Sequence, residues 1–232
     1  MISLDPRLSA VAGMVRPGAR TADIGTDHGY LIAYLAGEGV IPSGFACDIN
    51  PRPLEKARGI LRGQGLLGRV QLLLTDGLTG LPRDAVDDIV IAGMGGDTII
   101  HILSQAGWKD PDKRFLLQPM TRAPQLRQYL CREGYEILEE RAAEAGGFVY
   151  TVLRAAYTGK AWEPDGLFCA FGAMPRSAGA EALSYLVRQR AAAAARLEGL
   201  QKASAPDAGR IAREKELLRR MDTVIAEREE AP

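Results

Sequence analysis

A chain of 232 residues that is 47% hydrophobic can bury one core domain and carry an appendage. Its 29 basic residues balance 29 acidic ones, which excludes a global pull toward nucleic acid or membrane but permits a local basic face. Cys47, Cys131 and Cys169 lie far apart without C-x-x-C spacing, and there are two histidines, His28 and His101, so neither a disulfide framework nor a metal site is expected. Residues 1–6 lack a basic region followed by an apolar run, and no stretch is long and apolar enough to span a bilayer. The expectation is a cytoplasmic protein with no signal peptide, membrane contact or bound metal.

In chain order, Asp5 can N-cap a short helix with Pro6 at its first position. Residues 21–24, 44–47, 70–74, 88–91 and 114–117 then read as strands, and 30–36, 51–62, 97–105 and 123–132 as helices. This alternation predicts a parallel sheet covered by helices. The stretch between Leu74 and Asp88 is short, and a helix there is doubtful. Residues 136–140 and 148–154 read as two more strands joined by Ala145-Gly146-Gly147, a hairpin that would add an antiparallel strand. Seven strands with that finish match a Rossmann-like α/β class I methyltransferase architecture. Residues 1–157 form the expected catalytic domain, and 158–175, rich in Gly and Pro, the expected linker. Residues 176–232 form the expected helical hairpin, resembling a short coiled coil. Its helices read as 177–203 and 207–230, turning at Ser204-Ala205-Pro206-Asp207. Their apolar stripes run through Leu183, Leu186, Arg190, Ala193, Leu197 and Leu200, and through Ile211, Leu217, Leu218, Met221 and Ile225.

The first turn, Asp23-Ile24-Gly25-Thr26-Asp27-His28-Gly29-Tyr30, places acids at the carboxyl end of a strand, where open α/β sheets bind ligands. It lacks the G-x-G-x-x-G that lets a backbone approach a pyrophosphate. An acidic turn repels phosphate and suits a cation. S-adenosylmethionine, with an ammonium, a sulfonium and no phosphate, fits it. Taken singly, Asp23 and Asp27 can be loop and helix caps. A second acid, Asp48, closes strand two and can accept both ribose hydroxyls of an adenosyl group, while Asn50 is placed to cap the helix that begins with Pro51. Thr75-Asp76-Gly77 can contact adenine or simply make an Asp-Gly turn. Ala92-Gly93-Met94-Gly95-Gly96 implies close backbone approach or positive φ, and reads as a functional loop after strand four. Gln118 can line the pocket or cap its strand. His28 and Tyr30 are the nearest aromatic groups. His28 can be structural, and Tyr30 can pack in the core as well as stack on a base.

These residues, in this order, resemble the bacterial tRNA (adenine-N1)-methyltransferases that act on adenine at position 22. That family's Asp-Ile-Gly-Ser-Asp-His-Ala-Tyr-Leu is similar to Asp23 through Leu31, its Gly-Asp-Gly-Leu to Thr75 through Leu78, and its Ile-Ala-Gly-Met-Gly-Gly is identical to Ile91 through Gly96. Leu-Gln-Pro-Asn is similar to Leu117 through Met120, Leu-Arg-x-x-Leu to Leu126 through Leu130, and an N-terminal Arg-Leu pair to Arg7-Leu8. Met120 replaces Asn, Asp48 stands where Glu is usual, and Gly29 replaces Ala. The resemblance implies S-adenosyl-L-methionine as cofactor and tRNA as partner, with a monomer or weak homo-oligomer. It implies Asp27 as the catalytic carboxylate. The cofactor contacts it implies are Asp23, Gly25, Thr26, His28, Tyr30, Asp48, Ile49, Asn50, Thr75, Asp76, Gly77, Ala92, Gly93 and Met94. Arg7 and Gln118, and with them Arg188 and Arg190 of the basic hairpin, are the candidate substrate contacts.

The hairpin carries ten Lys/Arg between Arg176 and Arg220 against five acids, so it is the expected tRNA-binding element. A solvated coiled-coil face is the competing reading. Two rival functions remain: methylation of another RNA, a protein or a small molecule, and a non-catalytic S-adenosylmethionine-binding interaction protein. A NAD-linked oxidoreductase is disfavoured by the missing glycine fingerprint.

Overall fold

The computed structural model describes residues 2–230. Seven strands form one sheet in the order β3-β2-β1-β4-β5-β7-β6. They are β1 (Thr21–Ile24), β2 (Gly44–Asp48), β3 (Val70–Leu74), β4 (Asp88–Gly95), β5 (Arg114–Thr121), β6 (Tyr135–Ala145) and β7 (Phe148–Tyr157). The first five are parallel; β7 runs antiparallel to both β5 and β6. The central strands are apolar on both faces, as a doubly covered sheet requires: Ala22, Ile24, Ile89 and Ile91 face one core, Ala46, Val90, Leu116 and Val152 the other. Strand order reverses between β1 and β4, and the crevice opens at their carboxyl ends.

Helices α1 (Pro6–Ala12), α2 (Tyr30–Gly37), α3 (Pro51–Gly63), α4 (Gly96–Ala106) and α5 (Ala123–Arg132) cover the sheet. Asp5 caps α1 as expected, its carboxylate accepting the Leu8 N–H at 2.9 Å with Pro6 at the first position. The doubtful segment after Leu74 holds a three-residue 3-10 turn, Arg83–Ala85. Five strands run further than their apolar cores suggest. One continuation corrects the loop expected after Ile91: β4 continues to Gly95 and stays paired with β5 through two register shifts at Ala92, Met94 and Gly95. The glycines are what allow it. Gly93 sits at φ 77°, and a Cβ on Gly96 would lie 2.6 Å from the Arg122 carbonyl.

Beyond β7, α6 (Gly166–Phe171) is capped by Asp165, and a 3-10 turn follows at Met174–Arg176. The hairpin helices are α7 (Ala180–Gln201) and α8 (Ala208–Glu230). Their buried seam is Ala182, Tyr185, Leu186 and Ala193 against Leu218 and Met221. It is turned from the expected stripe: Leu183 and Leu200 are half-buried, and Arg190 pairs across the hairpin with Asp222 at 2.8 Å. The cause is the shared core with α6, where Phe171 and Met174 pack on the same face.

A buried ion pair ties the hairpin to the sheet. Arg127 on α5 and Glu140 on β6 are fully buried and 2.8 Å apart. Arg127 also donates to the Tyr185 hydroxyl and to the Cys169 and Ala170 carbonyls, each at 2.9 Å, while Glu140 accepts the Ala173 N–H at 2.8 Å. Besides each other, their partners are Tyr185 on α7 and residues 169–173 on the segment leading to it, so the pair joins the sheet to the base of the hairpin.

Candidate active site

The site begins where β1 turns. Gly25, at φ 74°, and Thr26 both donate their N–H groups to the Cys47 carbonyl, at 2.8 and 2.9 Å, which pins the turn to β2. The positive φ is what favours glycine at 25; a Cβ there would also meet the Met94 methyl, a flexible end that can move aside. Asp23 is 6% exposed and its carboxylate accepts the Thr26 hydroxyl at 2.6 Å. Burial pushes the Asp23 carboxyl up to about 6; the Thr26 bond opposes this and the nearby Asp48 charge adds to it. Burial, with Asp23 and Asp48 behind it, pushes the Cys47 thiol up to about 12, so it is no nucleophile near neutral pH.

Asp27 opens a 3-10 turn, Asp27–Gly29, and its side chain is 80% exposed. It does not cap α2, whose N-terminus is Gly29 in the left-handed region. His28 holds a positive φ of 59°, rare for a side-chain-bearing residue. Its ring stacks on Tyr30 with centroids 5.6 Å apart, and its Nε2 lies 3.3 Å from Asp27 and 3.2 Å from Lys56. Tyr30 is therefore a rim residue, 44% exposed, rather than core.

A cleft of about 360 Å³ follows this turn. It brings together Arg7, Asp23, Gly25, Asp27, Tyr30, Ala92, Gly93 and Met94, all singled out from the sequence. It adds Asp5, Leu8 and Leu31, which sequence reasoning missed. Asp5 was legible as a cap, but nothing local says that α1 lies over the end of β1. Three carboxylates and one guanidinium thus line the cleft.

Gln118 does not line the cleft; it is fully buried behind it. Its Oε1 accepts from Arg7 Nη1 at 2.7 Å and from the Gly93 N–H at 3.0 Å, and its Nε2 donates to the Pro119 carbonyl at 3.1 Å. One amide therefore holds both α1 and the bulge of β4. Thr26 and His28 support the turn from outside the lining, and Asp48 stands at the end of β2 beside it. One Asp48 oxygen accepts the Asn50 N–H at 2.8 Å, and the Asp48 carbonyl accepts the Thr75 N–H at 2.9 Å. The Asn50 side chain makes no capping bond, contrary to expectation; Pro51 and Pro53 carry no N–H, so the first turn of α3 offers few donors to cap. Ile49, Asn50 and Asp76 are exposed beside Asp48 and Thr75, and Gly77 holds φ 54°. The Thr75 hydroxyl accepts the Gly80 N–H, a turn contact. Arg188 and Arg190 lie on α7, apart from the cleft lining; Arg188 donates to the Gly147 carbonyl at 2.9 Å.

Among the described residues no group of three or more His, Cys, Asp or Glu could hold a metal, and no helix is long and apolar enough to cross a membrane.

Comparison with known proteins places this architecture. The methyltransferase-domain family matches residues 4–153. The tRNA (adenine(22)-N(1))-methyltransferase of Bacillus subtilis is 36% identical over 155 residues, an alignment covering 66% of this chain and 65% of that enzyme. The crystal structure of the B. subtilis m1A22 tRNA methyltransferase TrmK superposes with a TM-score of 0.81 at 28% identity, covering 98% of this chain and 99% of that one. A Streptococcus pneumoniae protein solved in complex with S-adenosyl-L-methionine gives 0.79 at 27% identity, covering 97% and 100%. The chain belongs to the methyltransferase-domain family, whose model spans well over half of it.

Proposed function

We propose that this protein transfers a methyl group from S-adenosylmethionine to N1 of adenine 22 in tRNA. The observation that carries the reading is the acid-rich cleft at the switch point of the sheet, in a chain similar over nearly its whole length to TrmK. The residues fit the cofactor. The ammonium suits the buried Asp23, and the single carboxylate suits Arg7, the one cation of the lining. Asp48, with one carboxylate oxygen outside the Asn50 turn, is placed for ribose hydroxyls. Gly25 and Gly93 leave the backbone bare where a ligand must approach.

When bound, S-adenosylmethionine supplies an electrophilic methyl group. The protein's own work is placement and charge. Adenine N1 carries an in-plane lone pair, so no base is needed to prepare it. Its ring becomes cationic on methylation, and the exposed Asp27 carboxylate at the cleft lowers the cost of that charge. Gln118, holding Arg7 and Gly93 together, fixes the two walls between which donor and acceptor must align. Because N1 is on the Watson–Crick edge, the base must leave its pairing before it enters.

Incubation of unmodified tRNA transcripts with labelled S-adenosylmethionine, followed by nucleoside mapping, tests the reading. Label in 1-methyladenosine at position 22 is the expected result. Label elsewhere in RNA, in protein or in a small molecule would give the activity another acceptor. Tight cofactor binding without transfer to any acceptor would make the protein a non-catalytic binding module.

A further inference from the structure

The carboxyl edge of the sheet extends past the cleft. β7 runs antiparallel to β5, with Leu117 opposite Leu153, so the first residues of β7 lie level with the last residues of β5 at that edge. There a cavity of about 160 Å³ opens between the end of β5, the start of β7, and Tyr185 and Gln189 of α7. The Thr151 side chain lines it, is 1% exposed, and its hydroxyl has no hydrogen-bond partner among the described residues. Buried hydroxyls are rarely left so. At the rim Phe148 is 62% exposed, with its ring 6.2 Å from that of Tyr150, so two aromatic groups stand side by side on the strand. A large apolar ring that open on a hairpin tip is not explained by the core it leaves.

Two cations flank these rings. Arg122 follows β5 with a positive φ of 57° and an exposed guanidinium, paired with Asp97 at 2.9 Å. Arg188 is held against the hairpin tip by its bond to the Gly147 carbonyl. An aromatic pair and two guanidiniums make a surface for stacked bases and phosphates, which proteins hold in just these two ways.

We propose that this strip, Phe148 and Tyr150 with Arg122 and Arg188, docks the RNA nucleotides that flank the methylated base. The inference rests on the tRNA reading above and adds a site to it. Extruding a base from a structured RNA unstacks its neighbours, and those neighbours then need a surface. Gln118, buried behind the cleft wall, and Pro119 and Met120, at the cavity, are consecutive residues of β5, so cleft and strip share one edge of the sheet.

The test uses full-length Phe148→Ala and Tyr150→Leu with unmodified tRNA transcript. Phe148 is too exposed for its truncation to threaten the fold, and thermal melts together with cofactor calorimetry confirm that each variant is intact. The expected result for either aromatic variant is a rise of about tenfold in tRNA KM and Kd, with S-adenosylmethionine affinity and saturated kcat within about twofold. Phe148→Trp restores tRNA affinity. Unchanged KM and Kd in folded aromatic variants, beside a wild type that methylates tRNA, would overturn the strip. So would a change confined to sedimentation, which would mark a contact between copies. If the wild type methylates no tRNA, the functional reading itself fails. The strip is then judged by a short single-stranded oligoribonucleotide: weaker binding by Phe148→Ala supports it, equal binding refutes it.

Discussion

Asp23, Asp27 and Asp48 are three carboxylates within one turn of each other's strands, yet their surroundings give them different work. Asp48 stands at the strand end with half its hydrogen-bonding capacity committed to the Asn50 N–H. Removing its charge by Asp48→Ala should weaken S-adenosylmethionine binding by about 1.5–3 kcal/mol while the fold survives. Calorimetry on the folded variant checks this, and unchanged affinity would take Asp48 out of the cofactor site. Asp27 is open to the acceptor side. Asp27→Ala should lower single-turnover methyl transfer by about 100-fold and leave cofactor affinity nearly intact. An equal loss in both would instead make it a cofactor ligand. Asp23 is the buried member, its carboxyl raised to about 6. A raised acid is protonated in the folded state at pH values where the unfolded chain has already lost its proton, so it lowers stability as pH rises from about 4 to 6. A bound cation reverses that preference by favouring the ionised form. Cofactor affinity should therefore climb by about tenfold between pH 5 and 7 and then level off, with Asp23→Asn flattening the profile. A flat wild-type profile would remove Asp23 from contact with the cation.

At the scale of elements, the glycine-rich end of β4 shows how far patterning reaches. Apolar runs locate the centre of every strand because a doubly covered sheet leaves no other place for them. They do not mark the continuations. Residues 92–95 are small or polarisable rather than branched, so they read as loop, yet they pair with β5 through a bulge held by Gln118. The same limit hid the roles of Asp5 and Leu8: α1 is legible from its cap, whereas its place over the cleft depends on Arg7 reaching Gln118, 111 residues away. The hairpin seam was legible through Leu186, Ala193, Leu197, Leu217, Leu218, Met221 and Ile225, while packing on α6 adds Ala182 and Tyr185 and leaves Leu183, Arg190 and Leu200 at its edge. The cleft acids, by contrast, were legible singly, since strand ends and turn residues announce themselves locally. Gly96→Ala tests the bulge directly. Its Cβ would press on the carbonyls of Thr121 and Arg122, both backbone, which cannot yield cheaply. A loss of about 1–3 kcal/mol in denaturant unfolding is expected, accompanied by weaker cofactor binding. A neutral result would mean that β4 and β5 part there without cost.

For the molecule as a whole, charge is balanced but unevenly spread. Lys202, Arg210, Arg213 and Lys215 cluster around the turn of the hairpin, all exposed. Lys202 pairs with Glu198, whereas Arg210, Arg213 and Lys215 stand outside the ion pairs of the described residues. The hairpin cannot simply be cut away to test its role, since ending the chain near Pro175 would expose Phe171 and Met174 and strip Arg127 of Tyr185. Charge removal at the tip avoids that damage. Replacing Arg210, Arg213 and Lys215 with Gln should leave cofactor binding intact, weaken tRNA binding and flatten its salt dependence by up to about one unit of slope per charge. An unaltered slope would assign the hairpin to another task.

The Arg127–Glu140 pair carries a consequence for how such a chain can change over time. Its charges are balanced by groups contributed from three separate stretches. α7 leaves that anchor as a rigid rod of 22 residues, about 33 Å long. Tyr185, in its second turn, is the point at which the rod meets the pair. A descendant that loses the rod keeps Arg127 on Glu140 and on the Cys169 and Ala170 carbonyls, so the anchor outlives the arm and records where it was once attached.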